Sequence, residues 1–358
     1  MSSILNGKHI QVSVFGQSHS AAIGAVIDGL PAGFRVDEKE VAAFMARRAP
    51  GNAKFATSRK EADAPVVLSG LSDGVTCGAP LGVMIQNTNT RSGDYSNLRT
   101  TPRPSHSDYA AAVRYNGFND IAGGGHFSGR LTAPLVFAGA VCMQILKQKG
   151  IDIRAHIYSV GDVCDTPYDS VQIQTENTAA KAFPVLSDEQ GEKMQAVIEA
   201  ARLDADSVGG VVECAVTGVP AGFGDPMFDG VENQLARHLF AIPALKGLEF
   251  GSGFAGAKKR GSENNDPFTV DANGNIVTEK NDHGGILGGI TSGMPIVFRA
   301  AFKPTPSIGK VQQSVHLEKK TAEELQIAGR HDPCIVPRAV PVVEAVTAIT
   351  ILDLLGGK

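Results

Sequence analysis

Three histidines in this chain sit in short polar motifs rather than in apolar runs. His19 lies in Gly16-Gln-Ser-His-Ser20, His106 in Arg103-Pro-Ser-His-Ser-Asp108, and His331 in Gly329-Arg-His-Asp-Pro-Cys334. Each has an acid, an amide or an arginine nearby. Imidazole exchanges protons near neutral pH, so such loops suit acid–base work. One histidine of this kind is as easily a satisfied structural group. Three of them point to chemistry.

Arginines stand beside these motifs. Arg47 and Arg48 close a helical stretch just before Pro50-Gly51. Arg103 opens the His106 motif, and Arg130 follows Gly123-Gly-Gly125. Arg330 precedes His331, and Arg338 follows it. Guanidinium groups make paired, planar hydrogen bonds to carboxylate and phosphate. The chain as a whole carries a net charge of −4, so a general nucleic-acid surface is not indicated. Local arginines beside Gly and His motifs instead suit a small polyanion. Lys258-Lys-Arg260 reads as solvated surface charge.

Other chemistries lack their signatures. Gly284-Gly-Ile-Leu-Gly-Gly289 has no preceding strand and following helix of the dinucleotide-binding kind, and no P-loop or GxSxG elbow occurs. His19, His106 and the cysteines are not spaced as metal ligands. The five cysteines (Cys77, Cys142, Cys164, Cys214 and Cys334) form no CxxC pair, which fits a reducing cytoplasm. There are 41 glycines, clustered at 123–125, 209–210, 284–285 and 288–289. Such clusters serve either tight turns or close approach of backbone to a ligand.

The elements that must position these groups repeat along the chain. Gly29-Leu-Pro-Ala-Gly-Phe34 returns as Gly218-Val-Pro-Ala-Gly-Phe223. Strand-like runs precede each copy, Ala22–Ile27 and Gly210–Val216. Helical stretches follow, Asp37–Arg48 and Asp229 to Phe240. Asp37 with Glu40 resembles a capping box. Gly74-Val-Thr-Cys-Gly-Ala-Pro-Leu81 then resembles Gly289-Ile-Thr-Ser-Gly-Met-Pro-Ile296, each leading into a strand, Gly82–Ile85 and Val297–Phe302. Arg130 and Arg338 each lead a helix that is apolar all round, Ala133–Leu146 and Val340–Leu355. Helices of that kind are buried on both sides. The alternating strands suit one-faced antiparallel sheets.

An ordinary amphipathic helix, Ser187–Arg202, lies between, with Ser187 as its N-cap. The expected organisation is one domain over 1–358, in two similar halves (about 1–150 and 205–358) related by a pseudo-two-fold axis, with a connecting segment 151–204. The apolar stretches 131–146 and 339–355 contain Pro and fall short of a span of roughly 20 residues, so no membrane helix is expected. The N-terminus lacks the long apolar run of a signal peptide.

Taken in order, these motifs resemble the chorismate synthase family over essentially the whole chain. The carrying residues are Phe15-Gly-Gln-Ser-His19, Arg48-Ala-Pro-Gly51, Arg91-Ser-Gly-Asp-Tyr95, Arg103-Pro-Ser-His-Ser-Asp108, Gly123-Gly-Gly125, Gly284-Gly-Ile-Leu-Gly-Gly289, Lys303-Pro-Thr-Pro-Ser307 and Gly329-Arg-His-Asp-Pro-Cys334. The resemblance implies an α+β fold, a β-α-β sandwich with helices between two antiparallel sheets, and a homotetramer. It implies conversion of 5-enolpyruvylshikimate 3-phosphate to chorismate by anti-1,4-elimination of phosphate. Reduced FMN is required although no net redox change occurs.

By the same resemblance, His19 donates a proton near the departing phosphate and His106 protonates or holds the reduced flavin. Asp332 relays a proton from the flavin. Arg48, Arg130 and Arg338 bind the substrate's phosphate and carboxylates. The flavin site takes in Gly125, His126, Phe127, Ser128, Pro243, Ala244, Gly288, Lys303, Pro304, Thr305, Pro306, Ser307 and Arg330. Lys54 stands where an arginine linked to NADPH is common, and NADPH is the reductant if the enzyme is bifunctional.

The chain departs from the family pattern at Gln17, Ser20, Ser105 and Ser107, and at His126-Phe127, where Arg-Ser is usual. Pro243 also replaces a small polar residue. These changes keep open an alternative: a divergent paralogue acting on another anion, or a non-catalytic flavin-binding subunit.

Overall fold

The computed structural model describes residues 3–49, 63–88, 97–174, 178–327 and 332–356. Among them are two five-stranded antiparallel sheets. The first has the order β1 (Ile4–Asn6), β2 (Gln11–Gly16), β3 (Ala22–Asp28), β7 (Leu81–Gln86) and β4 (Pro65–Ser69). A two-stranded ribbon, β5 (Leu71–Ser72) with β6 (Val75–Thr76), lies between β4 and β7 in the chain. The second sheet has the order β11 (Leu245–Phe250), β16 (Ile296–Phe302), β10 (Gly210–Thr217), β8 (Asp152–Val160) and β9 (Val163–Cys164). Further ribbons are β12 (Phe268–Val270) with β13 (Ile276–Thr278), β14 (Ile286–Leu287) with β15 (Ile290–Thr291), and β17 (Gln312–His316) with β18 (Thr321–Leu325).

The helices are α1 (Glu38–Arg48), α2 (Asp108–Arg114), α3 (Thr132–Gln148), α4 (Asp188–Leu203), α5 (Val231–Leu239), the single turns α6 (Gly253–Gly256) and α7 (Gly261–Asn264), and α8 (Val336–Leu354). α3 and α8 pack on each other between the sheets. α3 meets β2, β3 and β7, while α8 meets β8 and β10. This is the expected β-α-β sandwich. Ile23, Ala25 and Ile27 of β3 point into the core, whereas Val26 faces outward and is exposed. That alternation is what a one-faced sheet requires.

α3 and α8 approach each other most tightly at Gly139, where a Cβ would lie 2.3 Å from both Cα and Cβ of Ala345. The segment Gly129–Gln148 is long and apolar enough to cross a membrane by composition, but 83% of its apolar window is buried inside the sandwich. α8 is not wholly apolar. Its buried Glu344 takes a bidentate pair from Arg47 at 2.5 and 3.1 Å and the Ala155 N–H at 3.0 Å. Its buried Asp353 accepts the N–H groups of Lys8, His9 and Ile10 and so caps the loop entering β2.

Two expectations need correction. Asp37 caps α1 through the N–H groups of Lys39 and Glu40, but its own N–H donates to Gln144 Oε1 of α3 at 2.9 Å. Glu40 instead pairs with Lys147. The reciprocal half of the capping box is thus replaced by a contact between helices. Second, Asp152–Val160 is a central strand, not part of a connector. It pairs with β10 from Gly210↔Val160 to Thr217↔Asp152. The order β2-β3-β7-β4 in the first sheet matches β8-β10-β16-β11 in the second.

Candidate active site

The site lies where the chain ends of α1, α3 and α8 meet loops from both halves. Gly123, Gly124 and Gly125 have φ of 60°, 85° and 55°. That left-handed run is open to glycine and costly for other residues. The lack of side chains also lets the loop pass between two of the histidines. A Cβ on Gly123 would sit 2.6 Å from His19 Nε2, and one on Gly124 would sit 3.5 Å from His106 Nε2. The Ser18 N–H donates to the Gly125 carbonyl at 3.0 Å, pinning the His19 loop to the glycines.

His106 is held from behind. Its Nδ1 lies 2.6 Å from Asp108 Oδ1. An ionised carboxylate only accepts, so Nδ1 carries the proton and Nε2 is left on the glycine side. Arg103 holds the same carboxylate through Nε at 2.7 Å and Nη2 at 2.8 Å. Burial alone would raise the Asp108 carboxyl, but the hydrogen bonds from Arg103 and His106 outweigh it and hold it far below the usual carboxylate range. Arg103 Nη1 also donates to Ser307 Oγ at 3.1 Å. The Lys303 ammonium reaches the Ser105 carbonyl. The His106 loop is thereby tied to the segment following β16.

The anion-binding candidates converge from three helices. Arg48 ends α1, Arg130 stands in the turn before α3, and Arg338 is in the first turn of α8. Arg338 Nε donates to the Arg48 carbonyl at 2.9 Å, and its Nη1 donates to Asp332 Oδ2 at 2.6 Å. Asp63 accepts from both Arg48 and Arg130. Burial, with Arg338 and Arg130 close by, pushes the Arg48 guanidinium down to about 10. Burial would raise Asp63, but the two guanidinium groups hold its carboxyl low.

These groups surround a cavity of about 700 Å³. Arg48, Arg130, Arg338 and Asp332 line it together with His106. So do His126, Phe127 and Ser128 from the glycine loop. Pro243 and Ala244 line the opposite wall, and Lys303, Thr305, Pro306 and Ser307 the remaining one. His19, behind the glycine loop, Gly125 within it and Pro304 are not on the cavity wall. Lys54, Arg330 and His331 lie outside the described residues.

Gly288 is not brought to the cavity. It is exposed and forms, with buried Gly289, the two-residue turn between β14 and β15, both at positive φ. This glycine pair serves a hairpin.

Sequence reasoning missed Asp63, the role of Asp108, and an apolar wall from Phe240 to Ile242 that faces Ile335, Ala339 and Val342. No local signal marks Asp63. Asp108 was visible in its motif, two residues from His106.

The cavity lining carries six cations (Arg48, Arg103, Arg130, Lys246, Lys303 and Arg338) against one carboxylate, Asp332. Asp63 and Asp108 lie behind it. Asp63, Asp108 and Asp332 pair with four of these six cations, so a net excess of positive charge faces the cavity and suits an anionic ligand. The apolar wall opposite suits a flat ring.

A family model described as chorismate synthase matches residues 10–355. The chain belongs to the chorismate synthase family. It is 47% identical over 352 residues to a chorismate synthase of Thermococcus gammatolerans, covering 98% of this chain and 97% of that one. It is 44% identical over 349 residues to a chorismate synthase of Korarchaeum cryptofilum, covering 97% and 96%. A crystal structure of chorismate synthase superposes with a TM-score of 0.75 at 26% identity, covering 98% of this chain and 92% of that one. Family membership makes the chain a carbon–oxygen lyase of aromatic amino-acid biosynthesis. The alternative of a paralogue or binding subunit draws nothing from these likenesses.

The departures from the family pattern are absorbed by the chorismate synthase scaffold. His126 Nδ1 donates to the Gly16 carbonyl at 2.7 Å, and its Nε2 lies 2.7 Å from the Ser3 hydroxyl. The imidazole thus ties the glycine loop to the first sheet. Phe127 packs near Tyr115, with ring centroids 6.3 Å apart. The Ser20 hydroxyl closes the His19 turn, accepting from the Gln17 N–H and donating to the Ala22 carbonyl.

Proposed function

We propose that this chain converts 5-enolpyruvylshikimate 3-phosphate to chorismate, with release of phosphate, using reduced FMN. The observation that carries this reading is the cationic cavity with His106 and Asp332 on its wall. A substrate with one phosphate and two carboxylates answers six cations better than a monoanion does.

The residues fit the cofactor. A glycine loop without side chains, the Ser128, Thr305 and Ser307 hydroxyls, and an apolar wall at Ile242, Pro243 and Ala244 suit a phosphorylated flat ring. When bound, reduced FMN would supply electron density for the electron-poor allylic carbon and an acceptor for the ring hydrogen.

The chain's own groups place and protonate. Arg48, Arg130 and Arg338 hold the phosphate and carboxylates, and stabilise negative charge as phosphate departs. His19, beside Gly123, gives that phosphate its proton. His106 donates its Nδ1 proton in a hydrogen bond to Asp108 and would present Nε2 to a bound flavin. Asp332, anchored by Arg338 through Oδ2, would hold the proton exchanged with a bound flavin. Gly125, Pro304, Gly288 and Arg330 belong to this proposal by family resemblance, and Gly288 has the weakest claim.

Five free thiols support a cytoplasmic setting. An outward apolar face on the first sheet, with Phe15, Val26, Val66 and Leu68 exposed, supports a homotetramer. NADPH is the reductant if the enzyme is bifunctional, with Lys54 at the NADPH-linked position by family resemblance. The matching strand orders support an internal duplication whose second copy starts at β8.

The test is direct. Purified protein, anaerobically reduced FMN and the enolpyruvyl substrate should yield chorismate and equimolar phosphate. Tight flavin binding without turnover overturns the reading.

A further inference from the structure

Behind the cavity wall stands a carboxylate that none of the roles above uses. Asp63 is 1% exposed in its side chain and binds Arg48 Nη2 with Oδ2 and Arg130 Nη1 with Oδ1. One oxygen per guanidinium sets the planes of both. The two arginines come from different parts of the chain, the end of α1 and the turn before α3. Their other donors are partly held. Arg130 Nε donates to Asn87 Oδ1 at 3.0 Å, and Arg48 Nη1 reaches the Thr132 hydroxyl at 3.3 Å. Arg48 Nε has no acceptor among the described residues, although the side chain is 3% exposed and lines the cavity. A buried guanidinium N–H left without an acceptor is costly. Its acceptor is expected to arrive with the ligand.

We propose that Asp63 is a positioning residue that fixes Arg48 and Arg130 as a two-guanidinium cradle for the substrate's phosphate. The inference rests on the proposed assignment of those arginines to the substrate. The buried guanidinium groups of Arg48 and Arg130 and the half-buried one of Arg338 repel one another, and Arg338 is close enough to disfavour charge on Arg48. Asp63 offsets that repulsion between two of them. It also cancels part of the field that attracts an anion, so orientation must outweigh charge for the role to hold. Paired contacts to phosphate depend on where the guanidinium planes lie, which net attraction does not set.

Calorimetric titration of inorganic phosphate into the full-length protein decides it. Wild type, Asp63→Asn, Arg130→Gln and the double variant are compared. Each single variant is expected to bind phosphate about tenfold more weakly. The double variant should lose less than the product of the two, because Asp63 acts through the arginine.

Phosphate affinity in Asp63→Asn equal to or above wild type overturns the role, including where only its melting temperature falls. Unchanged affinity in Arg130→Gln overturns instead the assignment of the arginine. Should Asp63→Asn not fold, Asp63→Glu keeps the charge and displaces the carboxylate by one methylene. Weaker phosphate binding is expected there too, and wild-type affinity overturns the proposal.

Discussion

His106 Nδ1 lies 2.6 Å from Asp108 Oδ1, and the same carboxylate is gripped twice by Arg103. The tautomer and the orientation of the imidazole are set together, with Nε2 toward the glycine loop. His106→Ala is expected to cut kcat by about 10²- to 10⁴-fold, the usual worth of a positioned acid–base group. Asp108→Asn should cost about tenfold or more by freeing the ring to hold its proton on Nε2. Steady-state turnover with photoreduced FMN checks both. Unaltered kcat in His106→Ala, with a lowered melting temperature, makes the histidine structural.

Arg48 should give substrate binding an alkaline limit. Burial and neighbouring arginines push its guanidinium down to about 10. The charged form binds the anion, so affinity is present below that pH and declines as pH rises through it. Phosphate affinity measured from pH 8 upward should fall toward pH 10 in wild type. Arg48→Gln should bind weakly and without that slope. Parallel declines in both proteins would falsify the assignment.

His156 is fully buried, with Nδ1 and Nε2 each 3.0 Å from a carboxylate oxygen, those of Asp165 and Glu213. Glu213 also pairs with Arg299, and Arg299 with Glu249, so charges alternate across the second sheet. Two carboxylates cannot both accept from a neutral ring, so the imidazole is doubly protonated. Burial would lower its pKa, but the two carboxylates outweigh that and raise it above 6.5. A raised folded-state pKa gives stability that is full below the unfolded value and lost as pH rises through the folded one. Thermal unfolding between pH 6 and 10 should show that alkaline decline in wild type. His156→Leu should abolish it and cost about 3–5 kcal/mol by stranding Glu213 and Asp165. A mutant as stable as wild type contradicts the reading.

Gly139 is a packing requirement between α3 and α8. A methyl group there meets Ala345 at 2.3 Å, and both sheets resist separation of the helices. Gly139→Ala should destabilise by about 1–3 kcal/mol, despite the better helix propensity of alanine. Chemical denaturation measures it. The paired change Gly139→Ala with Ala345→Gly should recover little of the loss, because the Ala345 Cα also lies 2.3 Å from the added methyl.

The elements were legible because their signals are local. The apolar periods of α3 and α8, the alternation in β3 and the apolar run of β10 are patterns within a few residues, and the structure places those elements where the patterns did. β8 was misassigned because Arg154 and His156 interrupt its apolar run. Their partners, Asp152 and the Asp165–Glu213 pair, become visible only once strands and loops meet. The capping box at Asp37 failed similarly, since Gln144 of another helix outcompeted Glu40.

The sequence by itself determined the sandwich, the family, and the residue types able to do the chemistry, all carried by short motifs and short-range periodicity. Only the tertiary structure decided which charges share a space. Asp63 meets Arg48 and Arg130, and Asp332 meets Arg338. His19 and His106 stand on opposite sides of one glycine loop, while Gly288 turns a hairpin elsewhere. Side-chain electrostatics act through a few ångströms of space between groups far apart in the chain. No local pattern encodes that distance.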